Sequence, residues 1–272
     1  MLFDELSDKL NKTEIEVLPR DYMGLSGIGE KCHRKLQFDH YWLHKRKASK
    51  RMQRLWGFGH MMEQKFIDDL ATEGIYVKDT QSEVIGFAGH WKGHCDGIAL
   101  SESDPGVNFL VEFKTHAEKY FNQLTKDGVM KAFSYHYDQM IAYMGYLELP
   151  FGLYMAYNKN TSEYYFEIIM FDSERFKELK RKEQEIIVSD TLLPRIGNGS
   201  KAWFECKLCD AADHCYGDKE YEVTCRSCAY VDVLEGGKWK CTHHNKPGDL
   251  NSDTQKDACP YYELGDMFQN ET

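Results

Sequence analysis

Apolar residues recur every three or four positions through residues 25–74, LSGIGEKCHRKLQFDHYWLHKRKASKRMQRLWGFGHMMEQKFIDDLATEG. That spacing predicts two helices, with a break near Gly57 and Gly59. A polar, partly helical lead-in over 1–20 precedes them. The pattern then changes to β-like runs: SEVIGF, WKGHCDGIAL and NFLVEFKTH, the last two joined by the turn-rich SESDPGV as an antiparallel hairpin. SYHYDQMIAYMGYLEL has the length and spacing of a buried helix. FGLYMAYNKN and EYYFEIIMF read as a second strand pair, and Asp172 or Ser173 is placed to cap the charged helix ERFKELKRKEQEIIVSD. Strands interleaved with helices predict a mixed α/β core. From Trp203 the periodicity gives way to cysteine, aspartate, glycine and aromatics, which sets a boundary near residue 200.

Three charges interrupt the apolar strands. Asp96 lies in one run, and Glu112 with Lys114 in the next. Burying a charge is costly unless it is paired, hydrogen-bonded or bound to metal. Residues two apart in a strand share a face, so Glu112 and Lys114 project together, and an antiparallel partner strand would bring Asp96 beside Glu112. Two carboxylates offer hard oxygen ligands for Mg2+ or Mn2+, with the Phe113 carbonyl as a further ligand. A neighbouring lysine would orient or deprotonate a water and stabilise charge on a phosphate. The plain alternative is a set of strand-end charges at a solvated edge. An isolated E-x-K triplet decides nothing, because Glu63-Gln64-Lys65 and Glu178-Leu179-Lys180 share it.

The chain has 272 residues, 42% hydrophobic and 29% charged, enough for one sizeable core and a small appendage. Its start is too charged for a signal peptide and no apolar run approaches a membrane span, so the expectation is a cytoplasmic protein with no membrane partner. A net charge of −10 argues against an all-round basic surface. The local stretch HKRKASKRMQR at 44–54 reads either as a solvated helix face or as a DNA contact.

Disulfides do not fit a reducing compartment, so the nine cysteines need another account. Cys95 reads as a small core residue. CKLCDAADHC supplies Cys206, Cys209 and Cys215, three soft ligands that want a fourth, and Cys32 is available far upstream, with His33 and His214 flanking the set. Four thiolates suit iron–sulfur or Zn2+ alike. A second set, Cys225, Cys228, Cys241 and Cys259, brackets the hairpin-like YVDVLEGGKWKC in the manner of a zinc ribbon or knuckle; His243 or His244 would serve in place of one cysteine. So short a tail needs Zn2+ for much of its stability.

Taken in order, these motifs resemble the PD-(D/E)XK nuclease superfamily, in its RecB-like and phage-exonuclease branch. GFGHMMEQKF is similar to the upstream helix motif, with Glu63 four positions after Gly59 and His60 as the competing candidate. Asp96 matches the first strand acid and Glu112-x-Lys114 the second acid with its lysine, although no proline precedes Asp96. HYDQMIAY resembles the QxxxY helix motif, with Gln139 and Tyr143 on one face. The resemblance spans roughly 25–190. It implies a restriction-endonuclease-like α/β core in which Glu63, Asp96 and Glu112 hold the metal, Lys114 assists the water, and Gln139 and Tyr143 place the water or the scissile phosphate. One early cysteine followed by C-x2-C-x5-C also resembles the iron–sulfur nucleases of RecB-like type, which implies a 4Fe–4S cluster on Cys32, Cys206, Cys209 and Cys215, with Zn2+ as the alternative. The expected organisation is a nuclease core over 1–200, a cysteine segment over 201–222 and a zinc tail over 223–272. The expected function is a Mg2+- or Mn2+-dependent DNA exonuclease in phage recombination, replication or repair, working in the host cytoplasm beside a recombination or single-strand-annealing partner. The alternatives are an endonuclease on the same core and a non-catalytic DNA-binding adaptor. Oligomeric state is left open.

Overall fold

The computed structural model describes residues 2–269; Met1 and 270–272, the outer ends of the first and last predicted segments, lie outside the described residues. In chain order the elements are α1 (Leu2–Asn11), β1 (Glu14–Val17), β2 (Met23–Gly24), α2 (His33–His40), β3 (Arg46–Ser49), α3 (Lys50–Thr72), β4 (Ile75–Asp79), β5 (Glu83–Ile85), β6 (Trp91–His94), β7 (Gly97–Ser101) and β8 (Asp104–His116). There follow α4 (Glu118–Ala132), α5 (Ser134–Leu147), β9 (Phe151–Asn158), β10 (Tyr164–Met170), α6 (Ser173–Val188), α7 (Phe204–Lys207), α8 (Ala212–Cys215), β11 (Val231–Leu234), β12 (Lys238–Cys241), β13 (Gly248–Leu250), α9 (Ser252–Lys256) and α10 (Asp266–Gln269).

The fold is mixed α/β. Its central sheet runs β10-β9-β8-β7-β4, with β8 and β9 parallel and the other neighbours antiparallel. A parallel pair needs a crossover, and here α4 and α5 supply it. Alternation along β8 sorts its residues. Phe109, Val111 and Phe113 join Phe66 and Leu70 of α3 in one cluster, with Phe66 and Phe113 stacked at 4.8 Å. Leu110 instead joins Met140, Ile141 and Tyr143 of α5 in the larger cluster on the opposite face. Glu112 therefore points at α5, inside the core. Behind α5 lies α6, capped by the Asp172 side chain, which accepts from the Glu174 and Arg175 N–H groups.

Three expectations need correction. WKGHCDGIAL is two strands, because β6 belongs to a separate sheet, β2-β6-β5, while β7 belongs to the central one. The chain changes sheets at Cys95–Asp96, and Gly97 allows close passage: a Cβ there would meet Val77 at 2.4 Å. The predicted helical break also moves. Gly57 and Gly59 lie inside the 23-residue α3, where an added Cβ would meet nothing, so neither marks a turn. The interruption lies instead at 41–49, where Trp42 takes a φ of 52° and β3 pairs with β1 before Ser49 caps α3. Finally, β8 starts at Asp104, which reduces the hairpin turn to Glu102–Ser103.

The cysteine-rich region folds against the front of the chain. Phe38, Tyr41 and Leu43 share a buried cluster with Ala211, Trp239 and Phe268. The tail contains the three-stranded antiparallel sheet β11-β12-β13, whose first two strands are the expected hairpin. Between Cys225 and Cys228, Arg226 is 1% exposed and sits 3.8 Å from the Trp42 ring and 4.4 Å from the Trp239 ring. It donates to the His40 and Asp21 carbonyls and to the Gln255 side chain. No described helix is long and apolar enough to cross a membrane.

Candidate active site and cysteine centres

The β7–β8 register pairs Gly97 with Val111, which brings Asp96 beside Glu112, as the hairpin predicted. Asp96 Oδ2 accepts the Phe113 N–H at 2.7 Å. Glu112 is fully buried; its Oε1 accepts from Gln139 Nε2 at 2.7 Å and from the Lys114 ammonium, while its Oε2 is buried without a hydrogen-bond partner. Burial raises the Glu112 carboxyl above the usual carboxylate range; Lys114 pulls it down and Asp96 pushes it up. Burial would lower the Lys114 ammonium, but Glu112 and Asp96 outweigh it and hold the lysine charged. The Lys114 side chain keeps 23% of its surface exposed, while its ammonium is bonded to the buried Glu112 carboxylate.

Around this pair the remaining predicted residues fall into two groups. Gln139 touches Glu112 directly. Tyr143, one turn on and 1% exposed, donates to the His94 carbonyl at 3.3 Å and fixes the segment leading to Asp96. Gly93 permits this, since a Cβ there would stand 2.6 Å from the Tyr143 hydroxyl. Phe113 offers its N–H to Asp96 and its ring to the α3 side. Glu63 bonds to His60 at 3.0 Å and to Gln81 at 3.3 Å, not to Asp96 or Glu112. It approaches the site indirectly: Gln81 precedes Ser82, whose carbonyl accepts the Cys95 N–H beside Asp96. His60 is exposed and touches only the edge of this arrangement through Glu63. Among the described residues no group of three or more His, Cys, Asp or Glu side chains is arranged to hold a metal ion as it stands.

A second layer escaped the sequence reading. His116 Nε2 lies 3.0 Å and His136 Nδ1 2.9 Å from the Tyr154 hydroxyl, all three buried. Burial, then the Lys114 charge, lowers both imidazoles, His116 to about 4. Both are therefore neutral, and the hydroxyl donates to one ring and accepts from the other. The signal for His116 was present in the alternation: Glu112, Lys114 and His116 share one face of β8.

The basic stretch is paired in part within the chain. Lys45 faces Glu16 and Glu222, Arg46 faces Asp210, Lys47 faces Glu14, and Arg54 bonds to Leu10 and Asn11. Exposed pairs at 3.6–3.9 Å are weak, so they leave both the solvated-face and the DNA-contact readings standing.

The cysteines gather as two sets. Cys32, Cys206, Cys209 and Cys215 line one cavity with Arg34, Lys35 and Arg195. Cys225, Cys228, Cys241 and Cys259 line another with His243. Within the second set, Cys225 feels the charges of the other three sulfurs.

No family model matches the chain, and no curated protein does. Solved structures similar to it include the protein SSO0001 (16% identity, TM-score 0.44, covering 78% of this chain and 89% of that one). The alkaline exonuclease LHK-Exo from Laribacter hongkongensis is similar at 14% identity and TM-score 0.45, covering 62% and 87% respectively. A phage-related exonuclease from Haemophilus somnus 129PT is similar at 14% identity and TM-score 0.45, covering 61% and 91%. Likenesses of this size carry no argument about chemistry.

Proposed function

We propose that the chain is a divalent-metal-dependent deoxyribonuclease acting on DNA ends. The observation that carries this reading is Glu112 Oε2, a buried acceptor without a partner, placed beside Asp96 and on the same sheet face as Lys114. Evolution rarely leaves a buried carboxylate oxygen unsatisfied without a use, and a hard cation is the partner that two such acids suit. Asp96 and Glu112, with the Phe113 carbonyl as a further donor, would hold Mg2+ or Mn2+, which supplies Lewis-acid polarisation of a phosphodiester when bound; Glu63, bonded to His60 and Gln81, joins this set on the motif resemblance alone. Lys114 brings a fixed positive charge to the phosphate oxygens, and Gln139 holds Glu112 in place for it. Exonuclease rather than endonuclease action, a phage recombination, replication or repair setting and a partner protein rest on the motif resemblance.

The two cysteine sets fit metal by the chemistry of their donors. The first joins four thiol groups to a lining with basic side chains, which suits the net negative charge of a thiolate cluster; a 4Fe–4S cluster is the reading we adopt, with Zn2+ as the alternative. The second suits one Zn2+.

Labelled linear and closed circular DNA, incubated with and without Mg2+, test the activity. Linear DNA shortened from its ends only with Mg2+, and intact circles, is the expected result. Absence of metal-dependent cleavage on both would overturn the reading.

A further inference from the structure

Beside Lys114 stand two exposed tyrosines with a rigid backing. Tyr120, in the first turn of α4, is 49% exposed, and Tyr135, in the first turn of α5, is 46% exposed. The Tyr135 phenol lies within electrostatic range of both the Lys114 ammonium and the Tyr120 hydroxyl. Both rings rest on buried Phe133, with centroids 6.5 Å and 6.0 Å away. Phe133 is in turn stacked on His116 at 4.6 Å and 7°, and Tyr135 packs edge-on against His136 at 4.2 Å. The His116–Tyr154–His136 hydrogen bonds then tie this aromatic layer to the central sheet. The backbone of Tyr135 is held from outside as well. A Cβ on Gly29 would come within 2.4 Å of the Tyr135 Cα, so only glycine lets that loop close against α5.

The fold thus fixes two half-exposed aromatic rings close to Lys114. Two further lysines lie in this neighbourhood. Lys119 Nζ lies 5.7 Å from the Tyr120 ring centroid, and Lys159, whose N–H bonds to the His116 carbonyl, is near enough to depress that imidazole. Lys114, Lys119 and Lys159 thus lie near the rings, with Glu112 paired to Lys114 and Glu118 in the same turn as Tyr120. Exposed rings interleaved with lysines match one kind of occupant, a polymer with an anionic backbone and flat bases free to stack.

We infer that Tyr120 and Tyr135 form a stacking platform for unpaired bases of a polynucleotide single strand whose backbone passes Lys114. The inference rests on the nuclease reading for its direction and adds a substrate class: the end engaged by the site is single-stranded or frayed. Because the rings are already ordered by Phe133 and His136, little freedom is lost when a base lands on them.

The test is binding to the full-length protein in EDTA, read by fluorescence anisotropy. One probe is a labelled oligothymidylate, and the other is an oligomer of the same length made of abasic sugar phosphates. The wild-type protein prefers the base-bearing oligomer by about tenfold to a hundredfold. The Tyr120→Leu/Tyr135→Leu protein loses that preference and retains its affinity for the abasic backbone. The Tyr120→Phe/Tyr135→Phe protein keeps the preference, since the faces remain. A leucine variant that binds both probes as the wild type does, or loses both equally, would overturn the platform, as would a wild-type protein with no preference. Cleavage of linear DNA in Mg2+ is scored separately. Ring-dependent binding without cleavage sinks the nuclease reading alone, and cleavage without ring-dependent binding sinks the platform alone.

Discussion

Asp96 takes the main-chain N–H of Phe113 at 2.7 Å across from the neighbouring strand. One carboxylate oxygen thus fastens the point where the chain leaves one sheet for another, and the group stays next to Glu112. Aiming the acid and closing the strand ends are a single interaction.

Substitutions in the site should separate activity from stability. Lys114→Ala removes the cation bonded to Glu112 and is expected to lower Mg2+-dependent cleavage by about 1,000-fold, in line with the loss of a donor to developing charge. Asp96→Ala loses the same activity and also about 1–3 kcal/mol of stability, because the Phe113 N–H loses its partner. Urea unfolding beside single-turnover cleavage measures both. Gln139→Ala is expected to be milder in cleavage than either.

Glu63 and His60 can be ranked by one comparison. Glu63 holds Gln81 near the Asp96 segment, whereas His60 only touches Glu63 from the solvent side. Glu63→Ala should lose at least tenfold more activity than His60→Ala, a difference of about 1.4 kcal/mol in transition-state stabilisation. The opposite ranking in a cleavage assay would move the upstream donor by about one helical turn.

Acid should destabilise the fold through its buried histidines. His40, His116 and His136 are all held below the ordinary imidazole range, first by burial and then by nearby cations or imidazoles. The unfolded chain takes up these protons below about pH 6.5, so the unfolded state binds more protons. Their contribution is complete above that pH and is lost as pH falls from about 6.5 toward the folded value, about 4 for His116. Each costs about 1.4 kcal/mol per pH unit in that window. Glu112, with its carboxyl raised, acts in the opposite sense as pH rises. Urea unfolding of His116→Asn between pH 5 and 6.5 isolates one histidine: the slope of stability against pH should flatten by about one proton.

The metals give a test without DNA. Protein purified under anaerobic conditions should carry iron and sulfide with the Cys32 set and about one zinc with the Cys225 set. Zinc in both sets, measured by elemental analysis, would refute the iron–sulfur assignment and leave the nuclease reading intact. Cys228→Ser should release the tail zinc and also disturb tryptophan emission, because Arg226 is seated between Trp42 and Trp239.

Alternation, turn chemistry and helical spacing made much of this legible in the sequence. The pairing of Asp96 with Glu112 followed from a turn between two alternating strands, and Gln139 was singled out by the motif resemblance. What escaped was decided by partners far away in the chain. A positive φ at Trp42 has no signature in its own residue type, so the helix break could not be placed. The acids that face Lys45, Arg46 and Lys47, namely Glu222, Asp210 and Glu14, are distant in sequence and had no signature in the basic stretch itself. Tyr154 was unreadable as the partner of His116 and His136 until β9 was known to lie beside β8.

Arg226 bonds to a carbonyl 186 positions earlier, at His40, and the buried cluster around Phe38 and Tyr41 is completed by Trp239 and Phe268. During synthesis, the central sheet emerges with its own partners by residue 170, but the face of α2 must wait for the tail. A nascent chain therefore presents Phe38, Tyr41, Trp42 and Leu43 to its surroundings long after the strands can pair, and closing so long a loop is slow. Chaperone dependence of this protein should map to that waiting surface near the front of the chain, and a ribosome stalled before residue 226 should hold a paired sheet with an open flank.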